Sequence, residues 1–146
     1  MIIDNLIKLN KVILKNTSQI NNIKPLLTFL NNYKGCDWQK YVQYKRDSYN
    51  RNTVFRTDNY EIVIISWLPN QETPIHGHPR NGCLFKLLDG TLQEKLFLSN
   101  GLIKIKNYSN DNIVNTSYID DKVGLHKMKN ISYANAVSLH IYSPPY

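Results

Sequence analysis

At 146 residues the chain is long enough for one domain with a real core and too short for two comfortable ones. Hydrophobic residues make up 42% and charged residues 20%, which excludes a disordered chain, and no apolar run reaches the length of a membrane span. The formal charge of +7 raises nucleic-acid binding, but Lys and Arg are scattered singly between Asn, Ile and Tyr. No basic face forms, so the charge reads as a solubility feature, and neither a nucleic-acid nor a membrane partner is expected.

The first third reads helical. Ile3, Leu6, Ile7, Val12 and Leu14 give an approximate apolar stripe, Pro25 can open a second helix carrying Leu26, Leu27 and Leu30, and Asp37 to Val42 suits a third short one. From Tyr60 the texture changes to β: YEIVIISW, then CLFKLL and TLQEKLFL with Asp89-Gly90 between them as a hairpin signal. Asn100-Gly101 offers a second hairpin into LIKIKNY, and KVGLHKMK and AVSLHIYS follow as strands. The expectation is one mainly β domain over 1–146. A helical segment over 1–45 leads into a sandwich or small barrel over 46–146, with seven or so strands joined by consecutive hairpins. MIIDNLIKLNKVILKN shows no secretory signal pattern, and two cysteines, Cys36 and Cys83, make no disulfide framework. A reducing, cytoplasmic setting is expected.

The chemistry concentrates in TPIHGHPRNGCLFKLLDG, which holds two of the four histidines. On a strand His76 and His78 point to the same side and present two imidazoles to one point, as a divalent metal requires, although His-x-His also occurs on solvated strands. His126 lies about fifty residues further on and by itself reads as structural; with the pair it is a third imidazole from a distant strand. In AVSLHIYS, Ser138, His140 and Tyr142 share one strand face and Val137, Leu139 and Ile141 the other. The polar set is either a surface face or a buried hydrogen-bonded line. Cys83 alone reads as a small buried hydrophobe, and Arg51 as a solvated arginine at a turn.

Together, YNRN (from Tyr49), IISW, PIHGHPRNGCLFKLLDGTLQEKLF, VGLHKM and AVSLHIYSPP resemble the thiol dioxygenases of the cupin superfamily, and among these the cysteine dioxygenases, in order and at similar separations. The resemblance implies a cupin-type jelly-roll barrel. It implies Fe(II) held by His76, His78 and His126, a substrate carboxylate held by Arg51 with Tyr49 nearby, a Cys83–Tyr142 thioether, and a Ser138-His140-Tyr142 relay. The partners it implies are L-cysteine and dioxygen, with the chain acting as a monomer. One departure stands out: Gly77 occupies the place of an acidic residue usual in the family, which is expected to alter metal affinity.

Three neutral imidazoles leave a ferrous ion its full charge and open positions, which suits a substrate that brings its own thiolate. Other readings are a dioxygenase for 3-mercaptopropionate or cysteamine, a zinc hydrolase, or a non-catalytic metal-binding barrel. Members favouring 3-mercaptopropionate tend to lack both the arginine and the cross-linking cysteine present here. A hydrolase needs a general base, for which Glu72 and Asp89 are the sequence candidates.

Overall fold

The computed structural model describes residues 1–17 and 21–146. Two helices, α1 (Leu6–Thr17) and α2 (Leu27–Asn32), and two 3-10 turns at Lys24–Leu26 and Asp37–Tyr41 precede eight strands. These are β1 (Asn50–Arg56), β2 (Glu61–Trp67), β3 (Cys83–Asp89), β4 (Thr91–Leu98), β5 (Ile103–Ser109), β6 (Thr116–Ile119), β7 (Gly124–Lys129) and β8 (Ala136–Tyr142). They form a five-stranded sheet, β1-β2-β8-β3-β6, and a three-stranded sheet, β5-β4-β7, antiparallel throughout. The mainly β architecture with a short helical start is as expected. No described helix is long and apolar enough to cross a membrane.

Every residue of β2 and β8 is buried, because the larger sheet is covered on both faces. Its outer face carries Ile62, Ile64, Leu84, Leu139 and Ile141 against Leu6, Leu9, Ile13, Leu26 and Leu30 of the helical segment. Its inner face carries Val63, Ile65, Trp67 and Phe85 against Leu92, Tyr108 and Met128 of the smaller sheet. Each such side chain contributes about 1.5–3 kcal/mol on burial, so the helices and the smaller sheet clamp the larger one from opposite sides.

Three expectations are corrected. Asp89-Gly90 is not a hairpin, since β3 pairs with β6 and β8 while β4 pairs with β5 and β7. Gly90, at φ +85°, turns the chain over the corner from one sheet to the other, where a Cβ would stand 2.5 Å from the Asn135 carbonyl. The face α1 buries is Leu6, Leu9, Ile13 and Thr17, at spacings of three and four, which leaves Ile7 and Leu14 exposed. His76 and His78 do not lie on a regular strand. Their segment touches β7 through two isolated bridges, Glu72 with Lys129 and His76 with His126, because Pro74 and Pro79 cannot donate to a ladder. The Asn100-Gly101 hairpin forms as read, with Leu98 donating its N–H to the Leu102 carbonyl at 2.9 Å.

Lys86 links the helical segment to the sheet. From the outer face of β3 its ammonium donates to the Leu30 carbonyl at 3.0 Å and to that of Tyr33, capping the carbonyls at the end of α2. Lys86→Met keeps the apolar stem but strands those carbonyls. It is expected to cost about 1–3 kcal/mol in urea unfolding at pH 7, and an unchanged midpoint would show that the cap contributes nothing.

Candidate metal centre

Side chains from both sheets and from the segment that joins β2 to β3 meet at one end of the sandwich. His126 sits on the inner face of β7, opposite Leu96 of β4. His76 and His126 exchange two backbone hydrogen bonds, of 2.9 and 3.1 Å, which sets the two imidazoles side by side. Two residues on, the His78 N–H donates to Asp121 Oδ1 at 2.7 Å, and its ring turns toward the same point. Ligand nitrogens of His76, His78 and His126 all lie within 4.8 Å of one another.

Their hydrogen bonds fix which nitrogens are free. His76 Nδ1 donates to the Pro74 carbonyl at 2.8 Å, and His126 Nδ1 donates to Glu94 Oε2 at 2.7 Å. In the neutral rings both Nε2 atoms therefore carry lone pairs, and these stand 3.0 Å apart. Two lone pairs at that distance repel unless a cation lies between them. Two nitrogens on adjacent positions of a metal with bonds of about 2.1 Å would be about 3 Å apart. His78 Nε2 is buried without a hydrogen-bond partner, which elsewhere in a core would be a costly orphan. The donor set therefore fits a divalent metal with three neutral imidazoles.

Electrostatics favour neutral rings at His76 and His78. Burial holds His78 down to about 4, helped by the neighbouring His126 and His76 and only partly opposed by Asp121. Burial likewise lowers His76, offset in part by the Pro74 carbonyl. Behind His126, burial alone would push the Glu94 carboxyl up, but the hydrogen bond from His126, with that from the Tyr108 hydroxyl at 3.2 Å, holds it below its ordinary value. Glu94 thus orients His126 as carboxylates commonly orient metal-binding imidazoles. Sequence reading missed this residue, because a glutamate in TLQEKLFL looks like any solvated strand position.

Beside the three histidines lies a cavity of about 170 Å³ whose wall includes Tyr49, Arg51, Trp67, Cys83, His140, Tyr142 and Tyr146. Arg51 comes from β1, its guanidinium carbon 5.2 Å from the centre of the Tyr142 ring. Tyr49 stacks on Trp67 at 4.9 Å. His78 and Ser138 stand behind the wall. Cys83 is the direct cross-strand partner of Tyr142, next to a turn in which Gly82, at φ +97°, donates to the Pro79 carbonyl. Glu72 and Asp89 do not line the cavity; no carboxylate does among the described residues. Glu72 faces Lys127 and Asp89 faces Asn110.

The polar face of β8 is the buried alternative, not the surface one. Trp67 Nε1 donates to Ser138 Oγ at 2.9 Å, and Ser138 Oγ lies 2.8 Å from His140 Nε2. An indole can only donate. The serine hydroxyl, having accepted from it, keeps a proton of its own and so joins the indole to the His140 ring in one buried line. Burial keeps His140 well below and Tyr142 well above their ordinary values. These two rings meet by stacking, 7° from parallel with centres 5.7 Å apart, rather than through a hydrogen bond.

Gly77 now has a physical account. A Cβ built there would lie 2.9 Å from Asp121 Oδ1, the oxygen that holds the His78 N–H and stands 3.3 Å from His78 Nδ1. The acid expected between the two histidines comes instead from residue 121, in the space the missing side chain leaves. Gly77→Ala should displace that carboxylate and release metal to a competing chelator on the order of 10-fold more readily; unchanged retention would show that Asp121 does not hold His78.

Comparison with known proteins agrees with this geometry. A family model described as Cysteine dioxygenase type I matches residues 2–146. The Cysteine dioxygenase type 1 of Rattus norvegicus is 34% identical over 134 residues, which cover 86% of this chain. The chain spans 66% of the length of that relative. Among solved structures, a Klebsiella pneumoniae protein with a double-stranded beta-helix domain superposes with a TM-score of 0.58 at 17% identity, covering 73% of this chain and 85% of that one. The TT1209 protein of Thermus thermophilus gives 0.63 at 15% identity, covering 76% and 97%. These two likenesses establish the cupin-type double-stranded β-helix fold, and the match along nearly the whole sequence establishes that the chain belongs to the cysteine dioxygenase type I family.

Proposed function

We propose that the chain is an iron-dependent thiol dioxygenase that adds both atoms of dioxygen to the sulfur of L-cysteine, giving cysteine sulfinic acid. The observation that carries this reading is a three-histidine cluster, two of whose rings, His76 and His126, share with Arg51 the wall of a cavity that has no carboxylate among its described lining residues. Fe(II), held by His76, His78 and His126, would favour ionisation of the thiol and bring dioxygen beside the sulfur. A hydrolase would want a base facing the metal, and Glu72 and Asp89 face elsewhere.

The chain's own groups divide the remaining work. Arg51 offers a planar fork that matches a substrate carboxylate, a geometry lysine cannot reproduce. Tyr142, kept protonated by burial, is a hydrogen-bond donor beside the reacting atoms. His140 and Ser138 hold it through the stacked ring and the Trp67-anchored line. Tyr49, flat against Trp67, completes the wall on the Arg51 side. The arginine favours a substrate with a carboxylate over cysteamine, and the presence of both Arg51 and Cys83 favours L-cysteine over 3-mercaptopropionate.

The test is to load the protein anaerobically with ferrous iron and follow oxygen uptake with L-cysteine, 3-mercaptopropionate and cysteamine in parallel. Uptake with L-cysteine should match the cysteine sulfinate formed. Arg51→Ala should raise KM on the order of 10- to 100-fold, the worth of a charged hydrogen-bonded pair. No uptake by iron-loaded protein, or normal turnover by Arg51→Ala, would overturn the assignment.

Cys83 and Tyr142 face each other across β3 and β8, which puts their Cβ atoms about 4.5–5.5 Å apart. A thioether between Sγ and the ring carbon beside the hydroxyl would form with loss of two hydrogens, dioxygen taking the two electrons. The buried thiol, pushed up by desolvation, is otherwise unreactive. After turnover the intact mass should fall by two hydrogens in the natural protein and not in Cys83→Ser; an unchanged mass after many turnovers would exclude the cross-link.

A further inference from the structure

Glu61 is a buried charge with no part in the steps above. It opens β2 at 1% exposure, and its carboxylate accepts from two guanidinium groups: Arg51 Nη2 on Oε1 at 3.0 Å and Arg56 Nη1 on Oε2 at 3.0 Å. The Tyr146 N–H adds a third bond, to Oε1 at 3.2 Å. An unpaired carboxylate at this depth would be costly, and Arg51 here reaches only one of its oxygens.

A fault in the strand pairing makes the double contact available. Arg51 pairs with Ile65 and Thr53 with Val63, so residues 51 and 53 share the inner face with 61, 63 and 65. Strict alternation would put residue 55 on that face and turn Arg56 outward. Between Thr53 and Phe55 the register slips by one residue, Phe55 moves opposite Ile62, and Arg56 falls opposite Glu61. The bulge re-aims one side chain, a common use of such irregularities.

The charges matter for Arg51. A lone Arg51–Glu61 pair would be neutral, and an incoming carboxylate would meet the repulsion of Glu61 at the guanidinium it needs. With Arg56 on the second oxygen, the three groups sum to one positive charge. The bond to Nη2 and the Tyr142 face meanwhile hold the plane of the Arg51 fork. We propose that Glu61 and Arg56 are positioning residues for carboxylate recognition: Glu61 orients Arg51, and Arg56 offsets the charge of Glu61 so that the cavity wall stays positive toward a small thiol bearing a carboxylate. This rests on Arg51 being the carboxylate ligand of the function proposed above.

The experiment is steady-state turnover of L-cysteine by the iron-loaded protein, its Arg56→Gln and Arg56→Lys variants, and the double variant Glu61→Gln/Arg56→Gln. Arg56→Gln should raise KM about tenfold with kcat held within about twofold, since it removes one charge near the anion without touching the reacting atoms. Arg56→Lys should keep a KM near that of the natural protein. The double variant, which restores the net charge, should recover most of the loss. A merely structural role predicts the opposite order, with the double variant the worst. An unchanged KM in Arg56→Gln, or a double variant worse than the single one, overturns the proposal while leaving the dioxygenase reading intact. Failure of the natural protein to turn over L-cysteine overturns both.

Discussion

The two backbone hydrogen bonds between His76 and His126 are the constraint on which the rest of the site depends. They tie a proline-punctuated crossing segment to the edge of β7, and so to the smaller sheet. Apart from Met128 of β7 and Thr73 and Pro74 of that segment, the rest of the cavity wall comes from β1, β2, β3 and β8 of the larger sheet or from the chain that flanks it. The site therefore exists only where the sheets are held face to face. The apolar contacts of Val63, Ile65 and Phe85 with Leu92, Tyr108 and Met128 serve the chemistry as much as the stability. Anchoring the third imidazole to a ladder rather than a free loop limits how far the lone pairs can drift apart.

A pattern recurs around the cavity: three of the four groups that would hold metal or substrate have an acid behind them, and the fourth, His76, has the Pro74 carbonyl. Glu94 stands behind His126, Asp121 behind His78 and Glu61 behind Arg51. Each acid orients a nitrogen group without spending charge on the cavity itself. No carboxylate side chain lines the cavity among the described residues, and the only oxygen on the outer edge of the Arg51 fork among them is the Tyr146 carbonyl, at 3.5 Å. The cost of burying Glu94 and Glu61 is offset by bonds at both oxygens of each carboxylate.

How much of this was legible in the sequence follows from what each signal depends on. The strands announced themselves through apolar, β-branched runs, and the three histidines, Arg51 and Cys83 were visible as an ordered set of motifs. Asp89-Gly90 misled because a turn signal is local, whereas the partner of β3 is chosen by contacts with β8, some fifty residues away. The face carrying Ser138, His140 and Tyr142 was ambiguous because alternation separates two faces without saying what covers each, and here both are covered. The supporting acids were invisible for a related reason: an Asp or Glu among strand residues looks solvated until the opposite wall is in place. Gly77 looked like a defect from sequence alone. It proved to be a space, filled by a carboxylate from forty-four positions further along.

The strand order carries a consequence for how the molecule is made. β8 is the last of the eight strands in the chain and lies at the centre of the larger sheet, between β2 and β3. During synthesis the edges of β2 and β3 that face β8 stay unpaired until residues 136–142 leave the ribosome. The intervening loops must close before the keystone arrives, the kind of long-range pairing that slows folding and exposes strand edges to other chains. The larger sheet is thus begun by the first strands to appear and joined only by the last of the eight. The helical segment, which is made first, is the part of the chain that covers the outer face of those strands.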